Sequence, residues 1–298
     1  MIIVTHNGTF HADETMAIAV YELAFGVNTF DLIRTRDEKV IAAADYVFDV
    51  GNIYDPSMNR FDHHMPNPPL RDTGEIYSSA GLAWKHFGEK AISILLTEDY
   101  TASEIISIFN KVDKQIFIPI DLIDNGEYFP KNALTISHII GNMNPAWNDG
   151  TFESIAFNKA VDLCKHALIN NIKSIASDID AVYEIKNINT RTFDDQVLIL
   201  SKKMPFVRAV YSLNLDDVKF VILPDGDNYL ISTVTNNDDP TGMRLPFPKE
   251  WAGLRNSDLE KVNGVPESIF CHNNLFVAGA SSLVAAKNMA FIALQKRN

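Results

Sequence analysis

Cysteine, positive charge and long apolar runs are all scarce in this chain. Cys164 and Cys271 are the only cysteines among 298 residues. They stand far apart without a metal-type spacing, which excludes a disulfide framework and a cysteine zinc site; buried free thiols in a reducing cytoplasm are expected. Lysine and arginine number 26 against 38 aspartates and glutamates, a net charge of -12. That excludes a broad basic surface for long duplex nucleic acid and leaves room for short or single-stranded phosphate substrates. No apolar run approaches the roughly 20 residues that cross a bilayer, and no basic stretch precedes an apolar one at the start. The expected location is the cytoplasm, with no membrane partner. A glycine-rich phosphate loop, a serine or cysteine in a triad pattern and a His-Glu-x-x-His helix are missing as well. Hydrolysis, if it occurs here, has to run through metal-activated water.

What is present is concentrated near the start. An apolar run, Ile2-Ile3-Val4, stops at a turn carrying His6, His11, Asp13 and Glu14. A second cluster, Asp62-His63-His64, follows about fifty residues on, and Tyr46 to Val50 between them reads as a buried strand with Asp49 at its end. The order strand 1–5, helix 13–23, strand 31–34, helix 35–44, strand 46–50 is that of a parallel sheet covered by helices. Ligands collect beyond the carboxyl ends of such strands. Side by side, the strand ends bring His6, His11, Asp13, Asp49, Asp62, His63 and His64 to one rim. Imidazole with carboxylate suits Mn²⁺, Zn²⁺ or Co²⁺ better than Ca²⁺ or Mg²⁺ alone. A two-metal site needs a bridging carboxylate, and Asp49, from the middle strand, is placed to supply it. Any one histidine alone reads first as a core or turn residue; four of the eight in two short acidic turns do not.

Further along, helices are expected over 78–87 and 103–118, and over 152–186 as an arm between domains. Asp124-Asn125-Gly126 is on spacing alone an ordinary turn, His86 and His166 are surface residues of helices, and His138 is left open. Strands at 197–200, 220–223 and 229–234, a hairpin turned by Asp225-Gly226-Asp227, a helix over 205–213, a loop at 236–240, paired strands over 268–278 and a closing helix over 282–295 make a different texture. The expected architecture is α/β, a metal-binding domain at 1–186 followed by a smaller α/β domain at 187–298.

Asp62-His63-His64 resembles the signature of the DHH phosphoesterase superfamily. Within it, His6-Asn7-Gly8-Thr9-Phe10-His11-Ala12-Asp13-Glu14, Arg34-Thr35-Arg36-Asp37, Asp49-Val50-Gly51, Asp124-Asn125-Gly126 and Asn144-Pro145-Ala146-Trp147-Asn148 are similar to the Myg family. So are Arg244-Leu245-Pro246-Phe247-Pro248 and Gly253-Leu254-Arg255, so the likeness runs through nearly the whole chain. That family's older name is metal-dependent protein hydrolase, and it is associated with 3′–5′ RNA exonuclease activity. The resemblance implies two divalent ions, Mn²⁺ first with Mg²⁺, Co²⁺ or Zn²⁺ as alternatives. His6, His11 and Asp49 would hold one, and Asp13, Asp49, His63 and Asp124 the other. His64 would face the substrate and Asp62 would orient the histidine pair.

One departure concerns His11, which stands where the wider superfamily has an aspartate, and softens that ligand set. Another concerns 277–282, where a Gly-Gly-His turn is usual and this chain has no histidine. Gly279 would still allow a tight turn whose amides meet a phosphate, with Arg244 and Arg255 as anion partners or plain surface residues. The implied activity is a dinuclear phosphodiesterase acting from the 3′ end of single-stranded RNA or short oligonucleotides through metal-bound hydroxide. The alternatives are hydrolysis of small phosphoanhydrides or nucleotides, or a low-turnover nucleotide- or RNA-binding protein. A homodimer is the assembly considered.

Overall fold

A computed structural model describes residues 1–27, 29–97, 100–188, 191–236, 239 and 242–296. The chain forms two compact units, Met1–Ile175 and Ala176–Asn298. The division falls inside one long helix, and most of the loop expected at 236–240 lies outside the described residues.

The first unit begins β1 (Ile2–Thr5), α1 (Ala12–Phe25), β2 (Asp31–Arg34), α2 (Glu38–Ala43) and β3 (Tyr46–Phe48). Two residue-pair strands follow, β4 (Tyr54–Asp55) and β5 (Arg60–Phe61). The sheet order is β2-β1-β3-β5-β4, parallel except for the β4 edge. Hydrophobic strands buried on both faces are what a parallel sheet requires. On one face Val4, Val47, Val50 and Ala44 pack with Val40 and Ile41 of α2. The other carries α1, which is buried on nearly every side, as a helix apolar all round must be. Tyr21 of α1 meets Phe25, Tyr46, Phe48 and Phe87 in an aromatic cluster.

The helical remainder is α3 (Ser79–Leu95), α4 (Ala102–Val112), α5 (Ile118–Asp124), α6 (Ile136–Gly141) and α7 (Glu153–Lys186). The helix expected to stop near Ile118 instead continues through a π turn at Asp113–Phe117 into α5. The wide turn opens the hydrogen-bond ladder just where Pro119 lacks an N–H, so the proline enters without breaking the path. Asp124 is thereby the last residue of a helix.

The second unit holds β6 (Arg191–Thr192), β7 (Val197–Ile199), α8 (Val207–Ser212), β8 (Phe220–Asp225), β9 (Asn228–Thr233), α9 (Asn256–Asn263), β10 (Ser268–Cys271), β11 (Val277–Ala280) and α10 (Leu283–Gln295). Its sheet order is β10-β11-β9-β8-β7-β6, mostly antiparallel with one parallel pair, β7–β8. Gly226 at φ 62° turns the β8–β9 hairpin. One face buries Phe220, Trp251 and Met289, the other Leu198, Val210 and Val221.

The tight turn expected at Gly279 is a strand. Gly279 pairs with Leu230 on one side and Phe270 on the other, so the ladders on both sides engage its backbone. A Cβ there would run into the Phe270 ring, so close ring packing explains the glycine. Ala280 beside it is fully buried, with no space for an imidazole. Both cysteines are buried and free, and burial pushes each thiol up to about 12. Among the described residues no helix is long and apolar enough to cross a membrane.

Candidate metal centre

The parallel strands end at one rim, and the polar side chains there come from the residues immediately after them. His6 follows β1, Asp49 follows β3, and Asp62, His63 and His64 follow β5. Asp13 and Glu14 lie in the first turn of α1, and Asp124 closes α5. Hence His6, Asp13, Glu14, Asp49, Asp62 and His63 are all at most 5% exposed, a density of charge that dry protein does not tolerate without compensation.

Their contacts are short. His63 Nε2 lies 3.4 Å from Asp13 Oδ2, 3.5 Å from Asp49 Oδ1 and 3.3 Å from Asp124 Oδ2. His6 Nε2 lies 3.3 Å from Asp49 Oδ2 and 3.0 Å from Glu14 Oε1. The His11 ring centroid is 5.9 Å from that of His6. Ligand atoms converge within 4.8 Å in three groups, the last two sharing His63: His6, His11 and Glu14; Asp13, His63 and Asp124; Asp49, Asp62, His63 and His64. Asp49, facing both His6 and His63, is common ground between the two sides.

His6, His63 and His64 are held from behind. His63 Nδ1 is 3.1 Å from Asn125 Oδ1, and the Asn125 amide nitrogen donates to the Ile76 and Asp121 carbonyls. Those two donations fix the Asn125 oxygen toward His63, so Nδ1 carries the proton and Nε2 faces the carboxylates. His6 Nδ1 likewise meets the Asn7 carbonyl at 3.2 Å. Asp62 accepts from the Asn52, His63 and His64 amides and from His64 Nδ1 at 2.8 Å. Asp13 accepts the Ser79 and Ala80 amides at the start of α3, where the helix dipole favours an anion. Such outer partners set ligand tautomer and orientation.

The backbone contributes as well. Asp49 has φ 55°, in the left-handed region, and Gly51 and Asn52 follow at 98° and 56°. This sharp exit from β3 turns the Asp49 carboxylate toward His63, and its amide donates to Ser79 Oγ at 2.7 Å.

Among the clustered acids and histidines, buried Asp49 Oδ1 and His63 Nε2 stay without a hydrogen-bond partner. An unpaired carboxylate oxygen beside an unpaired imidazole nitrogen, ringed by further acids, is a donor set that fits a dication. The proton equilibria agree. Burial alone would depress His6, yet bonds to Asp49 and Glu14 push it up to about 10. Burial also opposes a charge on His63, but Asp124, Asp13 and Asp49 raise its pKa strongly. Burial and the Asp13 charge raise Asp49 and Asp124. Burial alone would raise Asp13, but the adjacent His63 ring and the Ala80 amide hold it below the usual carboxylate range. Without metal, protons serve as the counterions.

A pH dependence follows. With a raised pKa, the stability that protonated His6 contributes is complete below its unfolded value of about 6.5. It is lost as pH rises through about 10. Metal needs the neutral ring, so metal stabilisation grows over the same window. The melting temperature of chelated protein should fall from pH 6.5 to 10, while the increment added by Mn²⁺ widens. A flat increment in scanning fluorimetry would contradict this.

Asn125→Ala removes the acceptor that fixes His63. Metal affinity is expected to drop about 10–100-fold, measured by competition with a chromogenic chelator; unchanged affinity would show that Asn125 does not orient the ring.

The rim opens into a cavity of about 1230 Å³ lined by His6, His11, Asp13, Asp49, His64 and Asp124. The His64 side chain is 57% exposed, and His11 is exposed as well. His138, left open by the sequence, stands in the same wall. Arg244 and Arg255 belong to the second unit. The Arg244 guanidinium donates to the Leu215 and Val218 carbonyls and lies over Tyr211; Arg255 lies over Phe270. Sequence reasoning noted Glu14 in the opening turn but not among the ligands, and passed over Asn125 as a turn residue. Glu14 adjoins His6 and accepts the His11 amide, a capping-box spacing that was the available signal.

Residues 2–294 match the profile of MYG1_exonuc, Uncharacterised protein family (UPF0160). The MYG1 exonuclease of Rattus norvegicus is 31% identical over 98% of this chain and 84% of its own length. That of Homo sapiens is 31% identical over 99% and 86%. The MYG1 protein of Saccharomyces cerevisiae is 29% identical over 98% and 95%. Among solved structures, RecJ from Thermus thermophilus in complex with Mn²⁺ aligns over 100% of this chain and 52% of its own at 12% identity and a TM-score of 0.29, too low to bear on the site. With a match that runs from the first strand to the closing helix, the chain belongs to the MYG1 family, UPF0160.

Proposed function

We propose that the chain is a metal-dependent phosphoesterase, a dinuclear phosphodiesterase that removes nucleotides from the 3′ end of single-stranded RNA or short oligonucleotides. The observation that carries this reading is the unpaired, buried Asp49 Oδ1 and His63 Nε2 amid four further carboxylates. Relatives named exonucleases support the reaction class. His6, His11 and Asp49 would hold one ion; Asp13, Asp49, His63 and Asp124 the other, with Mn²⁺ the ion expected from the mixed imidazole and carboxylate set. When bound, such a pair activates water and neutralises charge on the phosphoryl group.

The chain's own residues do the rest. Asp49 faces both histidine sides and sets their separation. Asp62 accepts from His64 Nδ1, which raises the His64 pKa above its ordinary value and favours a charged imidazole whose Nε2–H can donate to a phosphoryl oxygen. The cavity of about 1230 Å³ beside the rim offers room for a strand end.

The test is Mn²⁺-dependent degradation of a 5′-labelled single-stranded RNA beside a dinucleotide and pyrophosphate. A ladder shortening from the 3′ end, abolished by chelation and restored by Mn²⁺, is the expected result. Cleavage of pyrophosphate alone would move the substrate to small phosphoanhydrides. Inertness toward all three would overturn the reading.

A further inference from the structure

We infer that Arg36 is the substrate's anion anchor, binding the phosphate next to the scissile one; this rests on the phosphodiesterase reading above. In a chain of net charge -12, a polyanion entering a rim of carboxylates needs a local cation. Among the described residues Arg36 and Arg60 line the cavity, and Arg34 lies beside the His6 turn. Arg34 donates to the His6 and Gly8 carbonyls and pairs with Glu153, so it holds the first histidine turn in shape. Arg60 is 7% exposed and donates to the Met58 and Ala44 carbonyls. Arg36 is exposed, lines the same cavity as His64 and Asp124, and makes no hydrogen bond or ion pair to another described residue. Its neighbour Asp37 is engaged in capping α2 through the Lys39 amide, and Glu38 shares the wall.

Position supports the same role. Arg36 follows β2, and β2 neighbours β1, which neighbours β3. Its backbone is therefore two strands from the Asp49 strand end, about 10 Å at ~4.8 Å per strand. A phosphodiester chain laid across the strand ends, with its scissile phosphate at Asp49, brings a flanking phosphate within reach of the long Arg36 side chain. A guanidinium offers the forked donors that match phosphate oxygens. The arginines first considered, Arg244 and Arg255, are in the second unit, and Arg244 is engaged by carbonyls.

The experiment compares wild type, Arg36→Gln and Arg36→Lys. Anisotropy in Ca²⁺ buffer follows binding of a 5′-fluorescent RNA tetranucleotide and of the same tetranucleotide with its internal phosphates converted one at a time to neutral methylphosphonates. Turnover with Mn²⁺ is followed on the tetranucleotide and on bis(p-nitrophenyl) phosphate, which has no second phosphate. Arg36→Gln is expected to weaken tetranucleotide binding about tenfold or more, through KM rather than kcat, with Arg36→Lys partly restoring it. One methylphosphonate should bind wild type and Arg36→Gln alike, and bis(p-nitrophenyl) phosphate turnover should not change. Equal binding by wild type and Arg36→Gln, including no binding by either, would overturn the inference, as would an equal loss on both substrates. Arg36-dependent binding without hydrolysis of any phosphodiester would keep the anchor and remove the phosphodiesterase reading.

Discussion

Asp49→Asn is expected to abolish turnover and leave the protein folded. The substitution keeps shape and volume, and asparagine tolerates the left-handed backbone found there. Losing the attraction to His6 and His63 is offset by relief from the charges of Asp13 and Glu14, which burial makes costly. The melting temperature of the metal-free variant should stay within a few degrees of wild type. Turnover should fall about 10³-fold or more, because a shared carboxylate supports charge stabilisation of several kcal/mol. Metal content by mass spectrometry, melting and turnover measured on one preparation check the prediction. Retained activity would remove the two-metal assignment, and an unfolded variant would make Asp49 a structural residue.

Arg71→Ala should damage the fold more than any change at the rim. Arg71 Nε donates to Asp121 at 2.6 Å, and its two terminal nitrogens grip Asp113 at 2.7 and 3.0 Å. Asp121 is fully buried and also accepts from the Ser78 amide and hydroxyl. Burial pushes the Asp121 carboxyl up to about 7 even with Arg71 and Ser78 pulling it down. Removing the guanidinium strands that carboxylate, at a cost of about 3–5 kcal/mol. Asp121 lies one turn before Asp124 and Asn125, so metal affinity should weaken as well. Without Arg71 the Asp121 pKa rises further, so the loss should shrink as pH falls from 8 toward 5, where the carboxyl is neutral. Urea unfolding at both ends of that range measures it. Adding Asp121→Asn should recover part of the loss at pH 8. A loss that is small and independent of pH would show that the network is solvated.

The legible parts of this chain were those where local pattern and burial agree. Alternating strand, helix and strand over 1–50 announced the parallel sheet, and strand-end histidines announced the rim, because both follow from short-range periodicity. The Arg71–Asp113–Asp121 network was not legible. Its members are 42 and 50 residues apart, and each alone is an ordinary charged residue. The continuation past Ile118 was hidden by Pro119, whose usual meaning as a helix stop is overridden by a π turn. Gly279 misled for the opposite reason. Glycine signals a turn by default, whereas here the Phe270 ring demands its small size. The helix Asn256–Asn263, polar along most of its length, gave little periodic signal; Leu259 and Asn263 are its buried contacts.

The φ of 55° at Asp49 acts as a filter on what mutation can offer at this position. Glycine, asparagine and aspartate enter that backbone region readily; β-branched and bulky residues do not. Of the three, aspartate alone is an anion. Glutamate, the remaining carboxylate, has to accept an unfavourable backbone and fit an extra methylene into a filled site. A population drifting under relaxed selection would therefore have few half-measures available at Asp49. The common routes lead to a neutral residue that folds, so loss of activity here should arrive in one step and leave a stable protein behind.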